Sequence, residues 1–507
     1  MPRRKSVQTL KELSLESILG NMDNLWCRPF LSTLFQQKQK WPYVVGPFDA
    51  LPTNLCHDIL VTMKQRGKLR RHHYNLLVNP SFKALDLSGE RKDLKMALEL
   101  AATRCTDLRS LNLAGCMLWK SALEYNIPSF TRLTNLCLST TNVTDEDLIV
   151  VGAYGYNLEE IYLMGTNIRK GLLYLVTDSQ LPGAIETGKC QRLRIINVDH
   201  CHVESTSVST VLLSLPNLLE IHYQELMRVI FGILQESPEA TFNLVSIYAS
   251  TDANPNYDAP VMSDYILEAV LKSCPNAVKF DLKAYSTMTE TSLLPLTSRK
   301  IPARELSLSP DESDGEPVSC LNTMTPVFSA CTDSLVSLSL MSVADVNIPL
   351  IIELCPRLVH LVLLDVVSFT TEMPHDVKRN KHNFWPDLKT LKLWCKGAEQ
   401  SPDEDTVVQL LKGPKLLTVD LLHCNSLDDV CMQRVREENS LEDLETLFLR
   451  ECHNITMDSL VDMAVRENSL GHLGLHHCRQ ITLCDVQLCR KKIATEKLQD
   501  DITIDWS

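Results

Sequence analysis

The sequence predicts an α/β solenoid of stacked strand-plus-helix repeats, and three observations predict it. The stretches LLTVDLLHC, LETLFLREC and LGHLGLHHC, opening at Leu416, Leu444 and Leu470, place apolar residues at the same positions and close on cysteine. Their spacing of 28 and 26 residues fits the range of about 20–29 residues for one strand and one helix of a leucine-rich repeat. The same L-x-x-L-x-L phrase recurs upstream from Phe82 onward, through FKALDL, LRSLNL, LTNLCL, LEEIYL, LRIINV, LLEIHY, LVSIYA, AVKFDL, ARELSL, LVSLSL, LVHLVL and LKTLKL. About fifteen units of the cysteine-containing type of leucine-rich repeat are therefore expected over residues 81–507. A single unit cannot bury its own apolar edge, so the units must stack into a horseshoe, with a parallel sheet on the concave side and helices on the convex side.

Within a unit each residue type has its task. Leucines at the first, fourth and sixth places of LETLFLREC point one way from a short strand and its entry, and Cys452 closes the turn. Thr456 and Thr482 follow at the place where a hydroxyl caps a helix. The segments Val143 to Gly152 and Ile455 to Val465 read as the convex helices. Cys116, Cys201, Cys424, Cys452 and Cys478 take the turn position, and Cys105, Cys190, Cys274 and Cys355 precede a repeat opening; small buried thiols suit both places. The 18 cysteines thus read as free core thiols of a reducing compartment. The start, Met1-Pro2-Arg3-Arg4-Lys5 and the mixed run after it, does not have the form of a secretion signal, and no apolar run is long enough to span a membrane. A net charge of −13 speaks against a nucleic-acid surface. The expectation is an intracellular protein, cytoplasmic or nuclear or both, whose partners are proteins.

No enzyme motif stands in the sequence: it has no glycine-rich phosphate loop, no His-Glu-x-x-His and no Gly-x-Ser-x-Gly. No two cysteines stand three apart, which excludes a CxxC zinc site and a RING domain with it. His200-Cys201-His202 and the group His472, His476, His477, Cys478 have metal-ligand residue types, but Cys201 and Cys478 hold the buried turn position. No catalytic residue, metal or cofactor is expected.

Residues 1–80 precede the array as a small helical module with two apolar patterns. Thr9-Leu10-Lys11-Glu12-Leu13-Ser14-Leu15-Glu16-Ser17-Ile18 puts Leu10, Leu13, Ser14 and Ile18 on one helical face, where a small residue among larger ones makes a docking surface. Phe48 to Leu60 contains Leu51-Pro52-x-x-Leu55-x-x-x-Ile59, with Pro52 suited to the first turn of a helix and Leu55, Ile59 and Met63 recurring on one face.

The first pattern resembles the elongin C-binding box over residues 9–18, with Thr9, Leu10, Ser14 and Ile18 in its places. The second, over 51–60, resembles the cullin-2 box, with Leu51, Pro52, Leu55 and Ile59; together they resemble a VHL box. The order of these boxes and then leucine-rich repeats is similar to that of the zyg-eleven-like substrate receptors of cullin-2 RING ubiquitin ligases, over residues 1 to about 300. The resemblance implies a non-catalytic substrate-recognition subunit, with elongin B, elongin C, cullin-2 and its RING subunit as partners and no cofactor. It departs on the C-terminal side, where those receptors carry an armadillo-type helical domain and this sequence keeps its repeat rhythm. Residues from Leu51 also resemble the opening of an F-box, Leu-Pro-x-x-Leu-x-x-x-Ile-Leu. Gly67 to Tyr74, however, offers no equivalent of the later Val-Cys-Arg-x-x-Trp, and an F-box leaves the Leu10 helix without a role. A repeat scaffold with no ligase, capped by residues 1–80, is the remaining alternative.

Candidate substrate contacts come from the residue between the last two apolar places of each repeat, which alternation turns to the solvent side of the sheet. Tyr162, His222 and Tyr248, flanked by Glu160 and Glu220, form an aromatic stretch of that column. Lys392, Trp394, Phe448, Arg450 and His476 form a basic and aromatic one; aromatics and Arg are the usual anchors of protein interfaces. Three insertions, 250–259, 309–317 and 397–405, read as solvated loops, and the Ser-Pro steps at Ser309 and Ser401 as candidate phosphorylation sites.

Overall fold

The computed structural model describes residues 10–30, 48–177, 190–249, 264–284, 293–298, 302–310, 318–372, 384–439, 441–465, 469–496 and 502–507. The chain divides into two compact units, one running from Val7 to Leu244 and the other made of residues 245–507 with 1–6. Each is a leucine-rich-repeat solenoid of its own, built on one parallel sheet.

In the first unit, three helices precede the strands: α1 (Leu10–Asn21), continued by a π-helical stretch Met22–Cys27, then α2 (Thr53–Gln65) and α3 (Arg71–Leu77). Six three-residue strands follow: β1 (Ala84–Asp86), β2 (Ser110–Asn112), β3 (Asn135–Cys137), β4 (Glu160–Tyr162), β5 (Ile195–Asn197) and β6 (Glu220–His222). They pair in sequence order. The second unit has ten: β7 (Ser246–Ala249), β8 (Lys279–Ala284), β9 (Glu305–Pro310), β10 (Ser337–Met341), β11 (His360–Val366), β12 (Thr390–Cys395), β13 (Thr418–Leu422), β14 (Thr446–Arg450), β15 (His472–His476) and β16 (Thr503–Trp506). These also pair in order. The sixteenth strand was not expected, because only Ile504 of its four residues is buried and the leucine phrase is lost.

Register keeps the predicted column intact. In the first sheet Asp86, Asn112, Cys137, Tyr162, Asn197 and His222 stand side by side. In the second, Val362, Lys392, Asp420, Phe448 and Gly474 do so, and Asp505 of the unexpected β16 extends the row. The apolar residues on either side of each of these column residues from Asp86 to Gly474 are buried, as Leu447 and Leu449 are around Phe448. Burying each such side chain contributes about 1.5–3 kcal/mol.

The turn after each strand explains the cysteines. The residue before the cysteine lies in the left-handed region at His200, His423, Glu451 and His477, and Gly115 holds the same place before Cys116. That twist points the thiol inward. Cys116 Sγ donates to Leu87 O at 3.1 Å, Cys201 to Leu163 O at 3.0 Å and Cys478 to Leu449 O at 3.6 Å, each a carbonyl of the preceding repeat. All 18 cysteines are free, and Cys484 is exposed. Burial pushes the Cys452 thiol up to about 12, so such groups stay protonated and inert. Thr482 and Asp485 form the expected cap at the helix Leu483–Glu496, with Thr482 N and Oγ1 donating to Asp485 Oδ2 at 2.9 and 2.7 Å.

Candidate functional site

Helix α1 is held by one face and open on the other. Leu19 is buried at 5% exposure, and on either side of it Lys11 pairs with Asp58 at 2.7 Å and Glu16 pairs with Arg66, both partners near α2. At 3.6 residues per turn Leu10 and Ser14 fall on the opposite face. Leu10 is 82% exposed and Leu13 49%, Ser14 is exposed and Ile18 half-buried. Thr9 lies outside the described residues. Farther on, Leu25 is also exposed. An apolar row presented this way is surface rather than core.

Helix α2 corrects one expectation. Pro52 is its N-cap residue, and Leu55 N and Cys56 N donate to Pro52 O. Leu51 and Leu55 are half-buried and Pro52 is exposed. Ile59, expected as a cullin contact, is only 2% exposed, in line with buried Cys56, Leu60 and Met63. The helix has one apolar stripe, and that stripe packs against the array: Lys64 Nζ from the same helix reaches Asp86 Oδ1 of β1 and Ser88 Oγ, both at 2.8 Å. Ile59 is structural, and the accessible set is Leu51, Pro52 and Leu55.

On the open face of the first sheet, Tyr162 Oη donates to Glu160 Oε2 at 3.0 Å and His222 Nε2 lies 3.7 Å from Glu220 Oε2. Asn197 stands between them. Burial first, then the Glu160 hydrogen bond, pushes the Tyr162 phenol up to about 12. Tyr248 belongs to the second unit, on β7 beside Asp281 of β8, so the expected three-residue stretch is divided between the two units.

The basic and aromatic patch is assembled in full within the second sheet. Asp420, with its side chain 6% exposed, is its hub, 3.2 Å from Arg450 Nε and 3.9 Å from Lys392 Nζ. The Lys392 ammonium lies 4.9 Å from the Trp394 ring centre, and the Arg450 guanidinium lies 5.7 Å from Trp394 and 5.3 Å from Phe448, within cation–π range. Phe448 in turn stacks on His476 at 6.5 Å and meets His472 at 5.0 Å. His472 pairs with Asp505 at 3.3 Å, and His476 Nδ1 is 2.8 Å from Ser507 Oγ. Phe448 overhangs Gly474, where a Cβ would stand 2.2 Å from the ring. The buried Trp394 Nε1 has no acceptor among the described residues. Sequence reading placed Asp420 in the open-face column but left it, His472 and Asp505 out of the patch; the alternating register with Lys392 and Arg450 was the signal for the acid between them.

The insertions are partly resolved into structure. The segment 250–259 and residues 311–317 lie outside the described residues. Ser309 is the end of β9 rather than loop, with Oγ donating to Met341 Sδ at 3.0 Å. The 397–405 segment is built in: Ser401 Oγ is 2.8 Å from Ser426 Oγ and accepts from Ser426 N at 3.1 Å, Pro402 is buried, and Asp403 caps the next helix by accepting from Thr406 N at 2.8 Å. A phosphate on Ser401 would have to break these contacts.

A cluster that sequence reading missed sits beneath α1. Asp23 Oδ1 accepts from His73 Nε2 at 2.8 Å and lies 3.1 Å from His72 Nε2. The buried Cys27 thiol is the fourth member. Burial pushes that thiol up to about 12, with the nearby Asp23 charge adding to it. Burial works to raise Asp23 itself, but the hydrogen bonds of His72 and His73 hold it below the usual carboxylate range. The available signals were the adjacent histidines and the Asp-x-x-x-Cys spacing.

The sequence matches no family model and no curated protein. Among solved structures the chain is similar to the Rad7 and Elc1 complex of yeast, at 15% identity over 90% of this chain and 96% of that one, with a TM-score of 0.48. It is also similar to an internalin of Listeria monocytogenes, at 16% identity over 81% and 92% with a TM-score of 0.32. A leucine-rich-repeat protein of Leptospira interrogans matches at 17% identity over 86% and 92% with a TM-score of 0.33. These are likenesses of fold, and none of them carries a role over to this chain. Among the described residues no helix is long and apolar enough to cross a membrane.

Proposed function

We propose that the protein is the substrate-recognition subunit of an elongin BC, cullin-2 RING ubiquitin ligase and captures protein substrates through its repeats. The observation that carries this reading is α1: a helix seated through Leu19, with Lys11 and Glu16 in surface ion pairs beside it, that turns Leu10, Leu13 and Ser14 to solvent. A helix serving only to cap the array would bury its apolar row. Leu10, Ser14 and Ile18 dock elongin C, and the small Ser14 lets the partner helix approach closely. Leu51, Pro52 and Leu55 face the cullin.

Substrate is held on the second sheet's open face. Lys392, Arg450, Trp394 and Phe448 offer cations over aromatic rings. Tyr162 and His222 on the first sheet, and Tyr248 on the second, are further contacts. The protein performs no bond chemistry; it works by proximity, placing substrate lysines near a charged conjugating enzyme, in the cytoplasm, the nucleus or both.

A tagged pull-down from cells tests this. Leu10→Ala/Ser14→Phe is expected to lose elongins B and C and cullin-2 together, and Pro52→Ala/Leu55→Ala to lose cullin-2 alone. Recovery of a Skp-type adaptor, lost only with the second variant, would make the protein an F-box receptor. Recovery of none would leave a repeat scaffold.

A further inference from the structure

Asp23, Cys27, His72 and His73 offer a carboxylate oxygen, a thiol sulfur and two imidazole nitrogens, all within 4.8 Å of one another. We propose that these four residues are a structural zinc site that ties the C-terminal end of the α1 helix to α3. The proposal stands apart from the ligase reading and shares no residue with it.

The donor set selects the metal. Calcium and magnesium take oxygen ligands, whereas one thiolate with two imidazoles and a carboxylate is the borderline-soft set that suits zinc. Four protein ligands leave no open position, which is the mark of a structural rather than catalytic site. Tetrahedral zinc with bonds of about 2.0–2.3 Å needs donors roughly 3.3–3.8 Å apart. The two Asp23–histidine separations, 2.8 and 3.1 Å, are somewhat short of that and the widest separation is beyond it, so small side-chain rotations close the site. Two ligands come from each element: Asp23 and Cys27 are one helical turn apart, and His72 and His73 are adjacent on α3. The π-helical stretch that carries the first pair is a rare geometry that frequently occurs at functional sites.

The site has a structural task. Apart from Leu19, Met22 and Cys27, α1 and its π-helical extension bury little, and the ion pairs Lys11–Asp58 and Glu16–Arg66 are surface contacts of the kind that contribute little. A metal bridging residues 23–27 and 72–73 fixes the direction in which α1 projects.

Protons balance as follows. Zinc displaces the Cys27 thiol proton to solvent. His73 Nδ1 now accepts from Arg70 N–H at 3.0 Å, so Nε2 holds the ring hydrogen and gives it to Asp23. Ligation through Nε2 moves that hydrogen to Nδ1, which then no longer accepts from Arg70 N–H, so loading gives up the hydrogen bond that closes the N-terminus of α3. Without metal, the same residues are a hydrogen-bonded cluster beside a buried thiol, and the two states are separable by measurement.

The full-length chain, purified without chelator, is assayed for zinc by mass spectrometry and then exchanged with cobalt(II). Stoichiometric zinc and a near-ultraviolet thiolate-to-cobalt band are expected. Cys27→Ser should abolish the band, and His72→Asn should weaken zinc retention tenfold or more. A chain that retains no zinc after loading and desalting overturns the proposal, as does zinc unaffected by both substitutions. If Cys27→Ser fails to fold, the wild-type cobalt spectrum decides: tetrahedral bands without thiolate character sink the site as drawn.

Discussion

Leu10→Ala separates docking from capping. The substitution deletes three side-chain carbons worth about 0.8 kcal/mol each when buried. Leu10 is 82% exposed in the free protein, so roughly 2 kcal/mol of that burial is still to be gained on a partner and only about 0.4 kcal/mol is already spent in the fold. At about 1.4 kcal/mol per tenfold, the loss is roughly 30-fold in Kd. Leu19→Ala, at a residue 5% exposed, has the opposite signature: a cavity beneath the helix and a loss of about 2–5 kcal/mol in stability. The assay is titration calorimetry of the full-length chain and its two variants against purified elongin BC, with denaturant unfolding of each alongside. Leu10→Ala should unfold with the wild type and bind weakly. If it instead lowers the unfolding midpoint as far as Leu19→Ala does, or binds elongin BC as tightly as wild type, the exposed row is not a docking face.

Three further outcomes are expected. Asp429 accepts from Thr456 N at 3.1 Å, Thr456 Oγ1 at 2.7 Å and Ser459 Oγ at 2.6 Å; burial opposes its charge, but these bonds win and lower its pKa. A carboxyl lowered in the folded state contributes stability above its unfolded pKa of 3.8 that fades as pH falls below it, so the acid limb of a urea-midpoint profile should flatten in Asp429→Ala. Trp385→Ala, which empties a fully buried site and removes the indole donor to Cys355 O at 3.0 Å, should cost about 3–5 kcal/mol by chemical denaturation. Gly474→Ala should push the Phe448 ring off its perch and weaken substrate capture by the second sheet more than Tyr162→Ala does, read by proteomic comparison of captured proteins; equal capture by Gly474→Ala and wild type would remove Phe448 from the substrate surface.

The repeat phrase carried most of the fold because it is a local code: alternation on a strand fixes which side chain faces which way, and the predicted column from Asp86 to Gly474 survives in the strand registers. Where the phrase weakens, the reading weakened with it. Strand β16 has a single buried residue to announce it, and the division at Leu244/Val245 leaves no mark in the leucine pattern. Ile59 failed for a different reason: an apolar stripe shows that a helix docks but not on what, and α2 docks on its own array. The acidic 397–405 segment looked like loop because charge and proline suggest solvent, yet Asp403 is a cap and Ser401 an acceptor. The Asp23 cluster joins positions about fifty residues apart, a proximity that only the packing of the π-helical stretch Met22–Cys27 against α3 creates.

The hydrogen bonds that cross from repeat to repeat have a consequence for how such a chain changes. The turn thiols reach back to the preceding repeat's carbonyls, Asp145 holds the amides of Arg169, Lys170 and Gly171 one repeat ahead, and Asn439 spans back to Leu411 O and Gly413 O. These partners stand 24 to 29 residues from one another, close to one repeat, so lengthening a turn by one residue strains the contacts to a neighbour. Duplicating or excising a whole repeat leaves every offset intact. Evolution of this surface is therefore quantised: column residues are exchanged by substitution at constant length, while length changes arrive in blocks of a full turn of the solenoid or are confined to the insertions between repeats.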